Sequence, residues 1–198
     1  MKPINLERLL LASRSPRRKE LLEQAGMEFE IISSDIDEEN MSIKNPVENV
    51  KKLSFLKADK VSRVYPDSWI LSADTIVVIE DQILGKPESK KHAMEMLRLL
   101  SNREHLVFTG FCIMNQKKDI IIKNAVETKV YFKYLSDQEI KWYVNTKEPF
   151  DKAGGYGIQG VGAFLVRKIL GSYSNVVGLP VCEVVETLME LKIIEMRV

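Results

Sequence analysis

The sequence predicts an α/β protein in which helices flank a mixed sheet. Strand-like apolar runs and helix-like segments alternate along the whole chain, an order typical of this class. The composition is that of an ordinary globular protein, with 45% apolar and 29% charged residues among 198. No internal repeat, low-complexity segment or linker divides the chain, so we expect a single domain over residues 1–198.

Apolar or alternating runs bounded by turn residues predict the strands. They fall at Leu9–Ala12, Phe29–Ser33, on either side of a turn at Glu80-Asp81, at His105–Met114, at Ile120–Tyr134 and near Ala163–Ile169.

Capping residues predict where the helices begin. Ser15 and Pro16 start the first helix, and Gly26 follows its end. The second begins at Asn45-Pro46 and runs to about Arg63. Three later helices are expected from Ser89 to Leu100, after Ser136 with Glu139 as its capping-box partner, and from Leu179-Pro180.

Charge and composition exclude several classes of function. The net charge of +1 gives no global attraction to nucleic acid, and the dispersed basic residues are not interleaved with aromatics. No run approaches the roughly 18 apolar residues of a membrane span, and no signal-peptide pattern is present, so a cytoplasmic protein is expected. Cys112 and Cys182 lack metal-type spacing and are expected to be buried thiols.

Three cations stand in the first turn of the first helix, where the helix dipole disfavours positive charge. Arg17, Arg18 and Lys19 fit a site that an anion completes, because exposed N–H groups, the dipole and two arginines favour phosphate. The alternative is a solvent-exposed face. The segment lacks the glycines of a Walker A or dinucleotide fingerprint.

Three further charged residues are candidates for chemistry. Lys57 shares a helix face with Val47, Val50, Leu53 and Val61, so it either snorkels to solvent or reaches a buried anion. Asp74 lies in the apolar run WILSADTIVVIE and needs a partner; it caps a turn, binds a metal or acts as a general base. Lys86 is placed to partner Asp74 or a phosphate, or is an exposed turn lysine.

The segment EPFDKAGGYGIQG, Glu148 to Gly160, holds four of the ten glycines of the chain. It predicts either a loop that approaches a ligand closely, with Tyr156 for stacking and Gln159 for reading a base edge, or a tight surface loop. The only histidines, His92 and His105, are interpreted as structural, which argues against a Ser-His-Asp triad. Together these patterns suggest a phosphate-handling enzyme that uses a divalent metal.

In this order, the motifs resemble the Maf family of nucleoside triphosphate pyrophosphatases. The resemblance runs from LLLASRSPRRKELL through SADTIVV, LGKP, HLVFTG and EPFDKAGGYGIQG to SNVVGLP, nearly the whole chain. The YGIQG loop looks like the branch that acts on dTTP and UTP, not the 7-methyl-GTP branch. The resemblance implies an elongated two-lobed Maf-like (ITPase-like) fold with a central cleft, often as a homodimer.

The resemblance also implies hydrolysis between the α and β phosphates, with Asp74 as the proton acceptor and Mg²⁺ or Mn²⁺ as the cofactor. By position, the substrate would contact Ser13, Arg17, Arg18, Glu38, Lys57, Thr75, Lys86 and Gln159. Of these, Arg17, Thr75 and Gln159 would select the base, and Glu38 would join Asp74 at the metal. One departure is Asn102, where the family usually has glycine; it places only a local turn in doubt.

Two other functions fit parts of the pattern. One is a house-cleaning pyrophosphatase for deaminated purines, against which the YGIQG loop argues. The other is a non-catalytic nucleotide-binding regulator of septum formation, which would not need Asp74. The presence of ADT together with Lys86 favours catalysis.

Overall fold

The computed structural model describes residues 3–36 and 44–196. By its contacts the chain divides into two compact units. Unit 1 comprises the described residues within 1–74, 109–126 and 178–198, and unit 2 comprises residues 75–108 and 127–177.

The strands of the described residues form two sheets. They are β1 (Ile4–Asn5), β2 (Leu9–Leu11), β3 (Glu30–Ile31), β4 (Trp69–Ile79), β5 (Gln82–Leu84), β6 (Glu104–Asn115), β7 (Ile120–Phe132), β8 (Val166–Leu170) and β9 (Ile194–Glu195). β1 and β9 form an antiparallel pair, and the seven others have the order β3-β2-β4-β6-β7-β8, with β5 paired to β4. Because β2 is parallel to β3 and β4 whereas β5 and β8 are antiparallel to their partners, the predicted mixed sheet is confirmed.

The helices begin close to the predicted caps. They are α1 (Pro16–Gln24), α2 (Pro46–Ser62), α3 (Lys90–Leu100), α4 (Asp137–Asn145), α5 (Tyr173–Val177) and α6 (Val181–Glu190). The side chains of Asn45 and Ser89 each accept a hydrogen bond from the backbone N–H three residues later, and Ser136 and Glu139 form a complete capping box. Ser15 stands at the N-cap of α1, but its side chain makes no capping hydrogen bond. None of the described helices is both long and apolar enough to cross a membrane.

Each unit has its own apolar core. In unit 1, residues of α2 such as Ala58 and Val61 pack with Leu10 of β2, Ile70 of β4 and Cys112 of β6. In unit 2, the core combines strand residues with α3, α4 and aromatic side chains, among them Val77, Leu97, Val130, Tyr143 and Tyr156. The apolar face of α2 is therefore fixed against the strand that carries Asp74.

One cysteine prediction is wrong. Cys112 is buried, and burial raises the pKa of its thiol to about 12. Cys182 is exposed, because α6 turns Val184 and Leu188, four residues apart, toward the core and leaves position 182 outside that face. The nearby carboxylate of Glu186 raises the pKa of the Cys182 thiol.

Candidate active site

A buried ion pair joins α2 to β4. The ammonium nitrogen of Lys57 lies 2.5 Å from a carboxylate oxygen of Asp74, and the two residues are 6% and 5% exposed. A carboxylate in an apolar strand is tolerated when it is paired and hydrogen-bonded, which accounts for the otherwise unfavourable sequence WILSADTIVVIE. Of the two readings of Lys57, the structure supports the one in which it reaches a buried anion, and that anion is Asp74.

Two small residues hold α2 against the sheet in the position that this pair requires. The hydroxyl of Ser72, two residues before Asp74, donates to the backbone oxygen of Ser54 in α2 at 2.5 Å. On β6, a Cβ added to Gly110 would lie 2.5 Å from the backbone carbon and oxygen of Val50. Gly110 therefore permits a close approach of strand and helix, which assigns a physical role to the last residue of the HLVFTG motif.

At the start of α1, the three cations of the first turn have different environments. Arg18 is half-buried; its Nε donates to the backbone oxygen of Gly178 at 2.8 Å, and a terminal nitrogen donates to Ser13 Oγ at 3.3 Å. Arg17 is also half-buried, whereas Lys19 is exposed and lies 3.6 Å from Glu23. The solvent-face reading therefore fits Lys19, while Arg18 is held beside Ser13.

Ser13 and Asp74 follow paired segments of parallel strands. Leu11 of β2 pairs with Leu71 of β4, and Ala12 N–H continues the ladder by donating to the Leu71 oxygen at 2.7 Å. Ser13 comes two residues after Leu11, and Asp74 three residues after Leu71. Unit 1 thus brings Ser13 and Arg18 together, and Lys57 and Asp74 together. Glu38 lies outside the described residues.

In unit 2, the Lys86 turn and the glycine-rich segment meet. Lys86 is exposed and follows β5, and the carbonyl of its neighbour Gly85 accepts a hydrogen bond from Gly154 N–H at 2.9 Å. Thr75, which follows Asp74 in β4, is half-buried, as is Gln159. This backbone contact joins LGKP to the glycine-rich segment, which lies almost 70 residues later in the sequence.

The glycine-rich segment is a run of short 3-10 turns, and one prediction about it is wrong. The turns are Glu148–Asp151, Ala153–Gly155 and Gly160–Leu165. Tyr156 is not available to stack on a base, because it is 5% exposed and packs edge-on against Phe132 and His105. Its hydroxyl lies 2.7 Å from His105 Nε2. Its aromatic ring secures the loop to the core instead.

Two residues of this segment that the sequence interpretation passed over organise the loop. The Glu148 carboxylate accepts three hydrogen bonds, from Tyr143 and from the backbone of Val161 and Gly162. Lys152 donates to the backbone oxygen of Glu148 at 2.7 Å and lies 2.6 Å from Asp151. The sequence did carry a signal for these contacts: the charged residues of EPFDK stand beside glycines, as in a loop that makes polar contacts within itself.

Both histidines were expected to be structural, and the contacts of His105 agree. Burial lowers the pKa of His105 to about 3, so its imidazole is neutral near pH 7. His92 lies in α3, where its Nδ1 accepts weakly from Glu88 N–H at 3.4 Å. Within residues 3–36 and 44–196, no three His, Cys, Asp or Glu side chains cluster as a metal site.

Comparison with known proteins identifies the chain's relatives. The family model described as "Maf-like protein" matches residues 8–191. A dTTP/UTP pyrophosphatase of Syntrophus aciditrophicus is 49% identical over 185 residues, 93% of this chain and 90% of that protein. A dTTP/UTP pyrophosphatase of Geotalea uraniireducens is 50% identical over 187 residues, 94% of this chain and 96% of that protein.

Among solved structures, the Staphylococcus aureus Ham1 protein has a similar fold. Its TM-score is 0.52 at 11% sequence identity, over 94% of this chain and 100% of that chain. At this identity, the likeness concerns the fold alone.

Proposed function

The chain belongs to the Maf-like protein family, and we propose that it is a nucleoside triphosphate pyrophosphatase acting on dTTP and UTP. The products are the nucleoside monophosphate and pyrophosphate. Relatives that bear the name dTTP/UTP pyrophosphatase match it at about half of all positions over most of both chains, which supports the substrate assignment. The observation that carries the chemistry is the buried pair of Lys57 and Asp74.

In the proposed reaction, Asp74 accepts the proton of the water that attacks the triphosphate. Its carboxylate already contacts an ammonium group, Lys57, that can also bind phosphate oxygens. Arg18 and Ser13 bind the phosphates, since Arg18 is held by the Gly178 carbonyl with its guanidinium beside the serine hydroxyl. Lys86, exposed at the end of β5, is assigned a further phosphate contact.

A divalent cation, Mg²⁺ or Mn²⁺, is part of this proposal. Mg²⁺ is commonly held by one or two carboxylates together with substrate phosphates, a mode of binding that needs no dedicated cage of protein ligands. Asp74 and Glu38 are the residues assigned to it. The ion would neutralise charge on the phosphates.

Base selection is assigned to Arg17, Thr75 and Gln159. Each of these side chains can donate hydrogen bonds, and Thr75 and Gln159 can also accept them, as reading a pyrimidine edge requires. A homodimer and a cytoplasmic location, where nucleoside triphosphates are available, complete the proposal.

The deciding experiment is pyrophosphate release with Mg²⁺ or Mn²⁺ from dTTP, UTP, CTP, GTP, 7-methyl-GTP and ITP. We expect release from dTTP and UTP, and none from Asp74→Asn, which should still bind nucleotide. Substantial turnover by that variant would remove Asp74 from the proton-acceptor role.

The same panel separates the two other functions. Preferred release from ITP would identify a purine house-cleaning enzyme. Binding without release from any nucleotide would favour a regulator.

A further inference from the structure

The Glu148 carboxylate accepts three hydrogen bonds, one from α4 and two from the loop that follows it. Its Oε1 accepts from the Tyr143 hydroxyl and from Gly162 N–H, both at 3.0 Å, and its Oε2 accepts from Val161 N–H at 3.0 Å. Carboxylates that accept backbone N–H groups form bonds roughly twice as strong as those between neutral groups. Glu148 therefore fixes the loop just after Gln159.

The other side of Gln159 is fixed through the same carboxylate. The Tyr143 hydroxyl donates to Glu148 and accepts from Gly157 N–H at 3.1 Å. Tyr143 is fully buried in α4, so it offers a rigid anchor for this contact. Gln159 is thereby bracketed: the backbone two residues before it and two residues after it is tied to one carboxylate–phenol pair.

The geometry of the loop leaves little space for another arrangement. A Cβ on Gly160, whose φ is +67°, would lie 2.9 Å from Glu148 Oε2, and a Cβ on Gly162 would lie 2.7 Å from the Tyr143 oxygen. The two glycines thus let the backbone approach the carboxylate closely enough for the N–H groups of Val161 and Gly162 to donate to it. Glycine beside Gln159 is therefore required both by the positive φ of Gly160 and by the nearness of Glu148.

We propose that Glu148, with Tyr143, is a positioning residue for base selection, which sets the place of Gln159 by holding the backbone on both sides of it. This inference rests on the proposed function, in which Gln159 reads the base. Neither Glu148 nor Tyr143 needs to touch the nucleotide. Their hydrogen bonds join α4 to the loop, and their effect reaches the base through Gln159.

The test compares nucleotide selectivity rather than overall activity. The ratio of the Kd for CTP to the Kd for UTP is measured by calorimetry in EDTA, so that no turnover is needed. In Glu148→Gln, the new amide NH₂ faces N–H donors, and we expect the ratio to fall by about fivefold or more, toward that of Gln159→Ala. Tyr143→Phe loses the hydroxyl that contacts Glu148 and Gly157, but leaves the bonds from Val161 and Gly162 to the carboxylate, so it should lower the ratio less.

Glu139→Gln is the matched control. Like Glu148, Glu139 lies in unit 2 and accepts a hydrogen bond from a backbone N–H, that of Ser136 at 2.8 Å. It caps α4, however, and does not hold the loop. It should leave the ratio unchanged even if it lowers the melting temperature, because partial unfolding weakens the binding of both nucleotides equally.

The outcomes separate this inference from the proposed function. The positioning role would be overturned if the ratio of the two Kd values were unchanged in Glu148→Gln, or if it fell equally in Glu139→Gln. A wild-type protein that binds CTP and UTP equally would overturn it too. Wild-type protein that prefers UTP but releases no pyrophosphate would instead overturn the proposed function, while a fall of the ratio in Glu148→Gln would still support the inference.

Discussion

Lys57 and Asp74 form a 2.5 Å ion pair in which the two side chains are only 8% and 7% exposed. Removing one partner of such a pair leaves the other charge uncompensated, whereas replacing both by apolar groups does not. We expect Lys57→Met to lower the free energy of unfolding by about 3 kcal/mol or more. The double variant Lys57→Met/Asp74→Leu should recover most of this loss while remaining inactive. Urea unfolding of the three proteins measures the difference.

The double variant also serves as the control for this first prediction. It removes the same ammonium group and the same packing of the lysine stem as the single variant. If both proteins lost equal stability, the energetic role of Lys57 would come from its stem rather than from its charge.

The second prediction concerns Gly110, whose Cβ position lies 2.5 Å from backbone atoms of Val50. Backbone cannot yield as a side chain can, so Gly110→Ala must displace α2 from the sheet. We expect a loss of about 1–3 kcal/mol in the free energy of unfolding. We also expect lower kcat, because Lys57 moves with α2. Gly85→Ala is the control, since nothing lies within 4 Å of its Cβ position. Equal stability of the two variants would contradict the close approach.

Local signals predicted much of the fold. Proline and side-chain caps define helix starts within a few residues, so Asn45 and Ser136 predicted α2 and α4 correctly. Asn102 also fits its turn: its φ of +56° lies in the left-handed region, which asparagine tolerates better than most residues. The short elements β1, β9 and α5 were missed, because two to five residues carry no measurable periodicity.

The candidate site was less accessible from the sequence, because its contacts join distant segments. Nothing local indicates that the Gly178 carbonyl holds Arg18, 160 residues away, or that Asp74 pairs with Lys57. Tyr156 was misjudged because an aromatic residue among glycines fits both a stacking platform and a core anchor. Its burial and its contacts with Phe132 and His105 distinguish the two.

The third prediction is a loss of stability in mild acid that depends on His105. Burial lowers the pKa of this imidazole from 6.5 to about 3. Below pH 6.5 the unfolded chain binds a proton that the folded protein does not, so stability falls as pH decreases toward 3. The slope approaches about 1.4 kcal/mol per pH unit for one group.

His105→Gln tests this slope, since an amide can still hydrogen-bond Tyr156 but does not titrate. The free energy of unfolding should be followed from pH 8 to pH 5, above the range in which most carboxylates titrate. The difference between wild type and variant should be constant from pH 8 to 7 and then shift in favour of the variant. A constant difference down to pH 5 would assign the acid sensitivity to other groups.

The last prediction separates the cations of the first helical turn. Arg18 reaches the Gly178 carbonyl and Ser13 together, and a lysine has no planar fork with which to keep both contacts and bind phosphate. Arg18→Lys should therefore raise KM for UTP by about tenfold, the effect of losing a hydrogen bond to a charged group. Lys19→Met removes a full charge from the same turn, yet its exposed contact with Glu23 contributes little. Its KM should stay within about twofold of the wild type. Steady-state pyrophosphate release measures both KM values and shows whether the geometry of Arg18 or the net charge of the turn determines phosphate binding. Arg18→Lys preserves the charge. If net charge near the helix start determined binding, Lys19→Met would therefore be the more damaging change.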